Sequence, residues 1–126
     1  MKKPRLKILV VDDETEARVG LARLLRAKGY EVSEAATGGE VLSRAREEWP
    51  NLIVLDIVLP DIPGTDVFKM LRADPITKMI PVLLLTAKPD IVNALPASEK
   101  PDRIIAKPRR PDDLLQIIHQ MLTGKK

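Results

Sequence analysis

The sequence contains no cysteine. Disulfide staples, thiolate zinc sites, iron–sulfur clusters and thiol nucleophiles are therefore excluded, and the chain suits a reducing compartment. Aromatic residues are nearly missing as well: Tyr30, Trp49 and Phe68 are the only three in 126 residues. Long apolar runs are also lacking. The best, residues 52–59, is broken by Asp56 and falls well short of the ~18 residues a membrane-spanning helix needs. The basic start (Lys2, Lys3, Arg5) leads into only four apolar residues, 8–11, before Asp12-Asp13-Glu14, too few for a secretion-signal core. The expectation is a cytoplasmic protein with no membrane insertion. Charge of one sign is not in large excess, since 21 basic and 18 acidic residues leave +3. The surplus sits late, where residues 100–126 hold seven basic residues against three acidic ones. Without a basic helix face, a zinc signature or interleaved aromatics, this reads as solvated surface, and no direct contact with nucleic acid is expected.

What remains is the balance of a globular protein, 44% hydrophobic and 31% charged, at a length that fits one domain. Residues 7–11 (Lys-Ile-Leu-Val-Val) form a β-branched run that ends at Asp12-Asp13, the pattern of a buried strand. Residues 14–28 place Ala17, Leu21, Leu24 and Leu25 at helical spacing and stop at Gly29. Residues 30–35 read as a second strand. Thr37-Gly38-Gly39 then reads as a turn into a helix through Val41, Leu42 and Ala45 that Pro50 ends. Residues 51–55 are continuously apolar after Asn51, as a parallel strand covered on both faces requires, and run into Asp56. A loop over 59–64 precedes a helix over 65–72 with Val67, Phe68 and Leu71 on one face. Residues 80–85 form a fourth strand delivering Thr86. Pro89, Pro96 and Pro101 confine any helix between 88 and 102 to a turn or two around 90–95. Residues 103–106 form a fifth strand delivering Lys107-Pro108, and Pro111-Asp112-Asp113 opens a last helix that Gly124 closes.

Strands alternating with helices predict an α/β fold: a five-stranded parallel sheet, helices on both faces, right-handed crossovers. Ligands of such sheets bind at the carboxyl ends of the strands, near the switch in strand order. That rule selects Asp12 and Asp13, Asp56, Thr86 and Lys107, and predicts that they converge. Three neighbouring carboxylates repel one another, and a divalent cation resolves the repulsion. With no cysteine, and His119 on another element, the ligands are oxygens, which favours Mg2+, with Mn2+ also possible. A lysine and a hydroxyl opposite would complement an incoming phosphoryl group, and Asp56, centrally placed, is the candidate nucleophile.

The pieces Ile8-Leu9-Val10-Val11-Asp12-Asp13-Glu14, Leu55-Asp56-Ile57-Val58-Leu59-Pro60-Asp61-Ile62-Pro63-Gly64, Leu84-Leu85-Thr86-Ala87 and Lys107-Pro108 stand in one order across essentially the whole chain. Together they resemble the receiver domain of two-component response regulators. The resemblance implies a flavodoxin-like strand order 2-1-3-4-5. It implies that Asp56 takes a phosphoryl group from a phosphohistidine on a sensor histidine kinase or histidine phosphotransfer protein. Asp12, Asp13, the Asp56 carboxylate and the Val58 backbone carbonyl would hold magnesium, Thr86 and Lys107 would each meet a phosphoryl oxygen, and the Lys107–Pro108 bond would be cis. Such a module passes its state to a downstream protein, unknown here, and is not an enzyme beyond self-phosphorylation and slow autodephosphorylation. The expected organisation is one receiver domain over 1–126, with its core at about 5–123 and no output domain.

Two departures stand out. Receivers usually carry Tyr or Phe three residues before the lysine, where this chain has Ile104, and the proline-rich stretch 88–102 replaces a long helix. They motivate one alternative, a pseudo-receiver that binds partners without phosphorylation. The three carboxylates motivate another, a Mg2+-dependent hydrolase, although Ile57-Val58 after Asp56 does not match the DxDx[TV] pattern of haloacid-dehalogenase-type phosphatases. Elsewhere the bland readings are preferred: Asp61 shapes its own turn, Gly38-Gly39 is a turn, Trp49 and Phe68 pack, His119 is an ordinary helix residue, and Arg109-Arg110 is a solvated pair.

Overall fold

Four short runs rich in Val, Ile and Leu and one more polar run (Glu-Val-Ser-Glu-Ala, residues 31–35) form the sheet, and the segments between them form its connections. The computed structural model describes residues 5–86, 102–106 and 111–123. The expected turn around 90–95, Lys107-Pro108 with its cis bond, and Arg109-Arg110 lie outside the described residues. In chain order the elements are β1 (Lys7–Val11), α1 (Thr15–Ala27), β2 (Glu31–Ala35), α2 (Gly38–Glu48), β3 (Leu52–Asp56), α3 (Gly64–Ala73), β4 (Val82–Thr86), β5 (Arg103–Ala106) and α4 (Pro111–Thr123). All strand pairings are parallel and the order is β2-β1-β3-β4-β5, the expected flavodoxin-like sequence. Among the described residues no helix is long and apolar enough to cross a membrane.

Alternation along the strands divides the core in two. Leu9, Val11, Ile53, Leu55, Val82 and Leu84 face one layer with Val41, Ala45, Val67, Phe68 and Leu71 of α2 and α3. Ile8, Val10, Leu52, Val54, Leu83 and Leu85 face the other with Leu25 of α1 and Leu114 and Ile118 of α4. β3 and β4 are buried at every position, which explains their unbroken apolar runs. Ile104 packs against the first layer.

Several local expectations are corrected. Gly38 and Gly39 are not a turn: they are the first residues of α2. Thr37 and Glu40 stand at its N-cap and third helical position, and the Glu40 carboxylate accepts from the Thr37 hydroxyl (2.9 Å) and the Ala36 amide (3.3 Å), which ties the residues before the helix to its first turn. Phe68 is fully buried as expected, but Trp49 is 71% exposed. Trp49 closes α2 in the left-handed conformation (φ 48°), a role glycine usually fills, because Pro50 behind it disfavours continuing the helix. Asp56 and Thr86 close their strands, as expected.

Candidate functional site

Parallel strands of equal direction bring their carboxyl ends to one edge, and β1 and β3 are hydrogen-bonded neighbours there, with Val11 opposite Leu55. Asp12 and Asp13 leave β1 at the point where Asp56 closes β3. One carboxylate oxygen from each of the three lies within 4.8 Å of the others. Asp12 and Asp56 are each only 6% exposed, whereas Asp13 is exposed at the mouth. Local amides orient both buried carboxylates: the Glu14 N–H donates to Asp12 Oδ1 (3.0 Å) and the Val58 N–H to Asp56 Oδ1 (3.1 Å).

Thr86 ends the neighbouring strand β4, one position beyond Leu85, the register partner of Asp56. It is buried, 2% exposed. Thr86 thus reaches the same edge as the carboxylates, as the sequence predicts. Val58 follows on the β3–α3 loop and is 67% exposed. The fifth expected member, Lys107, lies outside the described residues. His119 stands apart on α4, with its Nδ1 3.3 Å from the Tyr30 hydroxyl, and takes no part in the cluster.

The donor set suits a hard divalent cation. All three side chains offer oxygen, two are fixed by backbone amides, and the open mouth at Asp13 leaves room for water ligands, as magnesium prefers. Gathering three carboxylates in one place is costly unless positive charge enters.

Two contributors were not read from the sequence. Arg18 of α1 donates from Nη1 to the Asp12 carbonyl (3.0 Å) and from Nε to Glu34 Oε1 (3.1 Å), so it braces the backbone beneath the acidic pair. Asp61 does not merely shape its own turn. Its carboxylate accepts the Gly38 N–H at Oδ1 and the Gly39 N–H at Oδ2, both at 2.8 Å, capping α2 from a loop more than twenty residues away. Those amides, Gly38's first, hold the Asp61 carboxyl below its ordinary value. The loop itself is pinned at Gly64, whose N–H donates to the Ile57 carbonyl (2.7 Å). A Cβ at Gly64 would collide with the Asp56 carbonyl oxygen and stand 2.6 Å from Ile57 Cα, so only glycine lets α3 start this close to the end of β3.

Residues 8–119 match the model of the response regulator receiver domain. The DNA-binding response regulator MtrA of Mycobacterium tuberculosis strain H37Rv is 36% identical over 119 residues, covering 94% of this chain and 51% of MtrA. The probable transcriptional regulator ycf27 of Cyanophora paradoxa is 39% identical over 117 residues, covering 92% of this chain and 48% of its own length. The chain spans about half the length of these curated relatives. Among solved structures, a CheY-like receiver domain protein of Methanospirillum hungatei superposes with a TM-score of 0.87 at 32% identity over 97% of both chains. CheY4 of Vibrio cholerae, a chemotaxis response regulator, superposes at 0.86 with 29% identity, covering 94% of this chain and all of that one.

Proposed function

The chain belongs to the response regulator receiver family, the phosphoacceptor domains of two-component systems, and from that premise we propose that Asp56 is its phosphoacceptor. The observation that carries the reading is the meeting of Asp12, Asp13 and Asp56 oxygens within 4.8 Å at the carboxyl edge of a parallel sheet. An Asp56 carboxylate oxygen attacks the phosphorus of a phosphohistidine. The new O–P bond forms as the P–N bond breaks, and the imidazole nitrogen keeps the electron pair. The donor is a sensor histidine kinase or a histidine phosphotransfer protein in the cytoplasm.

Asp12, Asp13, the Asp56 carboxylate and the Val58 carbonyl would hold magnesium. When bound it supplies positive charge that offsets the carboxylates and the phosphoryl oxygens gathered beside them. The Val58 amide keeps Asp56 aimed, and Arg18 keeps the Asp12 backbone in place. Thr86, buried at the end of β4, donates its hydroxyl to one phosphoryl oxygen, and Lys107 pairs with another. The reading is of one receiver unit over about 5–123 that signals by its phosphorylation state to a downstream protein. It turns over only its own aspartyl-phosphate, by slow autodephosphorylation, so sustained hydrolysis of phosphate esters is not expected.

The test is intact-mass analysis promptly after mixing with a small phosphodonor, with and without magnesium, beside Asp56→Asn. The expected result is a magnesium-dependent gain of a single phosphoryl group that the variant lacks. No gain from a folded, magnesium-binding protein would overturn the assignment in favour of a phosphorylation-independent binding module.

A further inference from the structure

The stretch that carries the Val58 carbonyl is a seven-residue loop, 57–63, between the end of β3 and the start of α3. Its near end is fixed by polar contacts on both sides: the Ile57 N–H donates to the Leu85 carbonyl (3.0 Å), and the Ile57 carbonyl accepts from Gly64 (2.7 Å). Leu59 and Ile62 rest against the α2/α3 layer of the core, an attachment that is apolar and therefore non-directional. At the far end stands the two-point clamp of Asp61 on the Gly38 and Gly39 amides. The two glycines leave the clamp its room. A Cβ at Gly38 would sit 2.8 Å from Val67 Cγ2 and 3.3 Å from Asp61 Oδ1, and one at Gly39 would sit 3.1 Å from Asp61 Oδ2.

We propose that Asp61 is a positioning residue for the magnesium site: by locking the β3–α3 loop to the start of α2 it holds the Val58 carbonyl where it completes the coordination set of Asp12, Asp13 and Asp56. The inference rests on the phosphoacceptor reading and deepens it. Asp61 sits three residues beyond Val58, binds the Gly38 and Gly39 amides and is not among the three grouped carboxylates, so it acts through the backbone between. Because its partners are the first two amides of a helix, the lock also benefits from the helix dipole. It joins α2, on one side of the loop, to the segment between acceptor and helix α3.

The experiment titrates magnesium into the unphosphorylated protein by calorimetry, comparing wild type with Asp13→Asn, Asp61→Asn, Asp61→Ala and Gly39→Ala, each melted thermally in metal-free buffer. Residues behind metal ligands commonly change affinity 10–100-fold. Acting one step further out, Asp61→Ala is expected to weaken magnesium binding by about 3- to 10-fold, and Asp61→Asn, which keeps one acceptor oxygen, by less. Gly39→Ala separates the positioning role from simple helix capping. Alanine favours the helix over glycine, yet its Cβ crowds Asp61 Oδ2, so helix stability and metal affinity are expected to move in opposite directions. Its reading also stands if Asp61→Ala fails to fold. Wild type that binds no magnesium, or binds it undiminished in Asp13→Asn, overturns the site reading and this inference with it. A wild type that binds through Asp13, with Asp61→Ala and Gly39→Ala both matching its affinity, overturns this inference alone and leaves Asp61 a helix cap.

Discussion

Aspartate does opposite work at the two edges of this sheet. At the amino edge, acidic side chains meet arginines. Asp102, just before β5, takes Arg72 Nη2 at 2.6 Å and the Val82 amide at 2.8 Å on the same oxygen, and Asp74 takes Arg46 at 2.9 Å. Arg72 also donates to the Lys78 and Ile80 carbonyls at 3.1 and 2.8 Å and lies 4.7 Å from the centre of the Phe68 ring. One guanidinium thus ties α3, the loop after it and the entry to β5 together. At the carboxyl edge, three aspartates are drawn against each other, and the nearby Arg18 reaches the Asp12 carbonyl and Glu34. The difference teaches where the fold is sealed and where it is receptive. Charges closed on arginine stabilise the resting molecule, whereas like charges gathered at one point repel one another, a cost that a bound cation lowers.

The largest effect that sharpens this contrast is expected at the receptive edge. Asp12→Ala and Asp13→Ala should each abolish magnesium-dependent phosphorylation while leaving the circular dichroism spectrum unchanged. In metal-free buffer their melting temperatures should equal or exceed that of wild type, because a repelling charge has been removed. The rise in melting temperature that magnesium gives wild type by binding only the folded state should vanish. Phosphoryl uptake at wild-type level in both variants would break the comparison outright.

The sealed edge should behave in reverse. Arg72→Ala takes the arginine from two carbonyls and from Asp102, which keeps the Val82 amide, and strips the cation from Phe68, so a loss of about 2 kcal/mol is expected in urea unfolding. Magnesium affinity should stay within experimental error of wild type. Arg72→Lys should recover only part of the loss, since a single ammonium cannot reproduce a planar fork that serves three acceptors. A change in magnesium affinity comparable to that of the Asp13 variant would show that the two edges are coupled rather than distinct.

The same division explains what could be read from the residues alone. The central strands were legible because buried parallel strands are continuous apolar runs, their order followed only from the resemblance to receiver domains, and the rule that ligands gather at carboxyl ends picked out Asp12, Asp13, Asp56 and Thr86 directly. Asp61 and Arg18 were not legible. Asp61's partners are backbone amides, which every residue carries, and Arg18 meets a backbone carbonyl and the Glu34 carboxylate of another element, so no local side-chain pattern marks either. Asp61 reaches its amides only after the chain has passed through α2 and β3. Gly38-Gly39 carries the composition of a turn, and only the neighbouring loop shows that closeness of approach, not chain reversal, is what the glycines provide. Trp49 was misread because a lone large aromatic in a chain so poor in them suggests core, whereas its place before Pro50 put it at an exposed helix end.

The smallest expected effect concerns the two acidic groups at the N-terminal end of α2, which lie between the edges in character: they are carboxylates answered by backbone and hydroxyl donors rather than by arginine alone or by each other. The Asp61 carboxyl is held below its ordinary value of 3.8 by the Gly38 and Gly39 amides. The Glu40 carboxyl is held below 4.5 by the Thr37 hydroxyl first, then by the Ala36 amide and the Arg44 charge. A carboxyl whose folded-state pKa is depressed binds its proton more weakly in the folded state than in the unfolded one. Its contribution is therefore fully present above the unfolded value and is lost as pH falls through the folded one. Wild type should lose stability progressively on acidification below about pH 5. Asp61→Asn and Glu40→Gln should each melt slightly below wild type at neutral pH and approach it as the pH drops, so that the curves converge in acid. Because both groups are solvent-exposed, the separation at neutral pH should be small and should narrow in salt. Parallel curves, offset equally at every pH, would mean that these carboxylates act through shape rather than charge, and melting temperature against pH for the three proteins distinguishes the two.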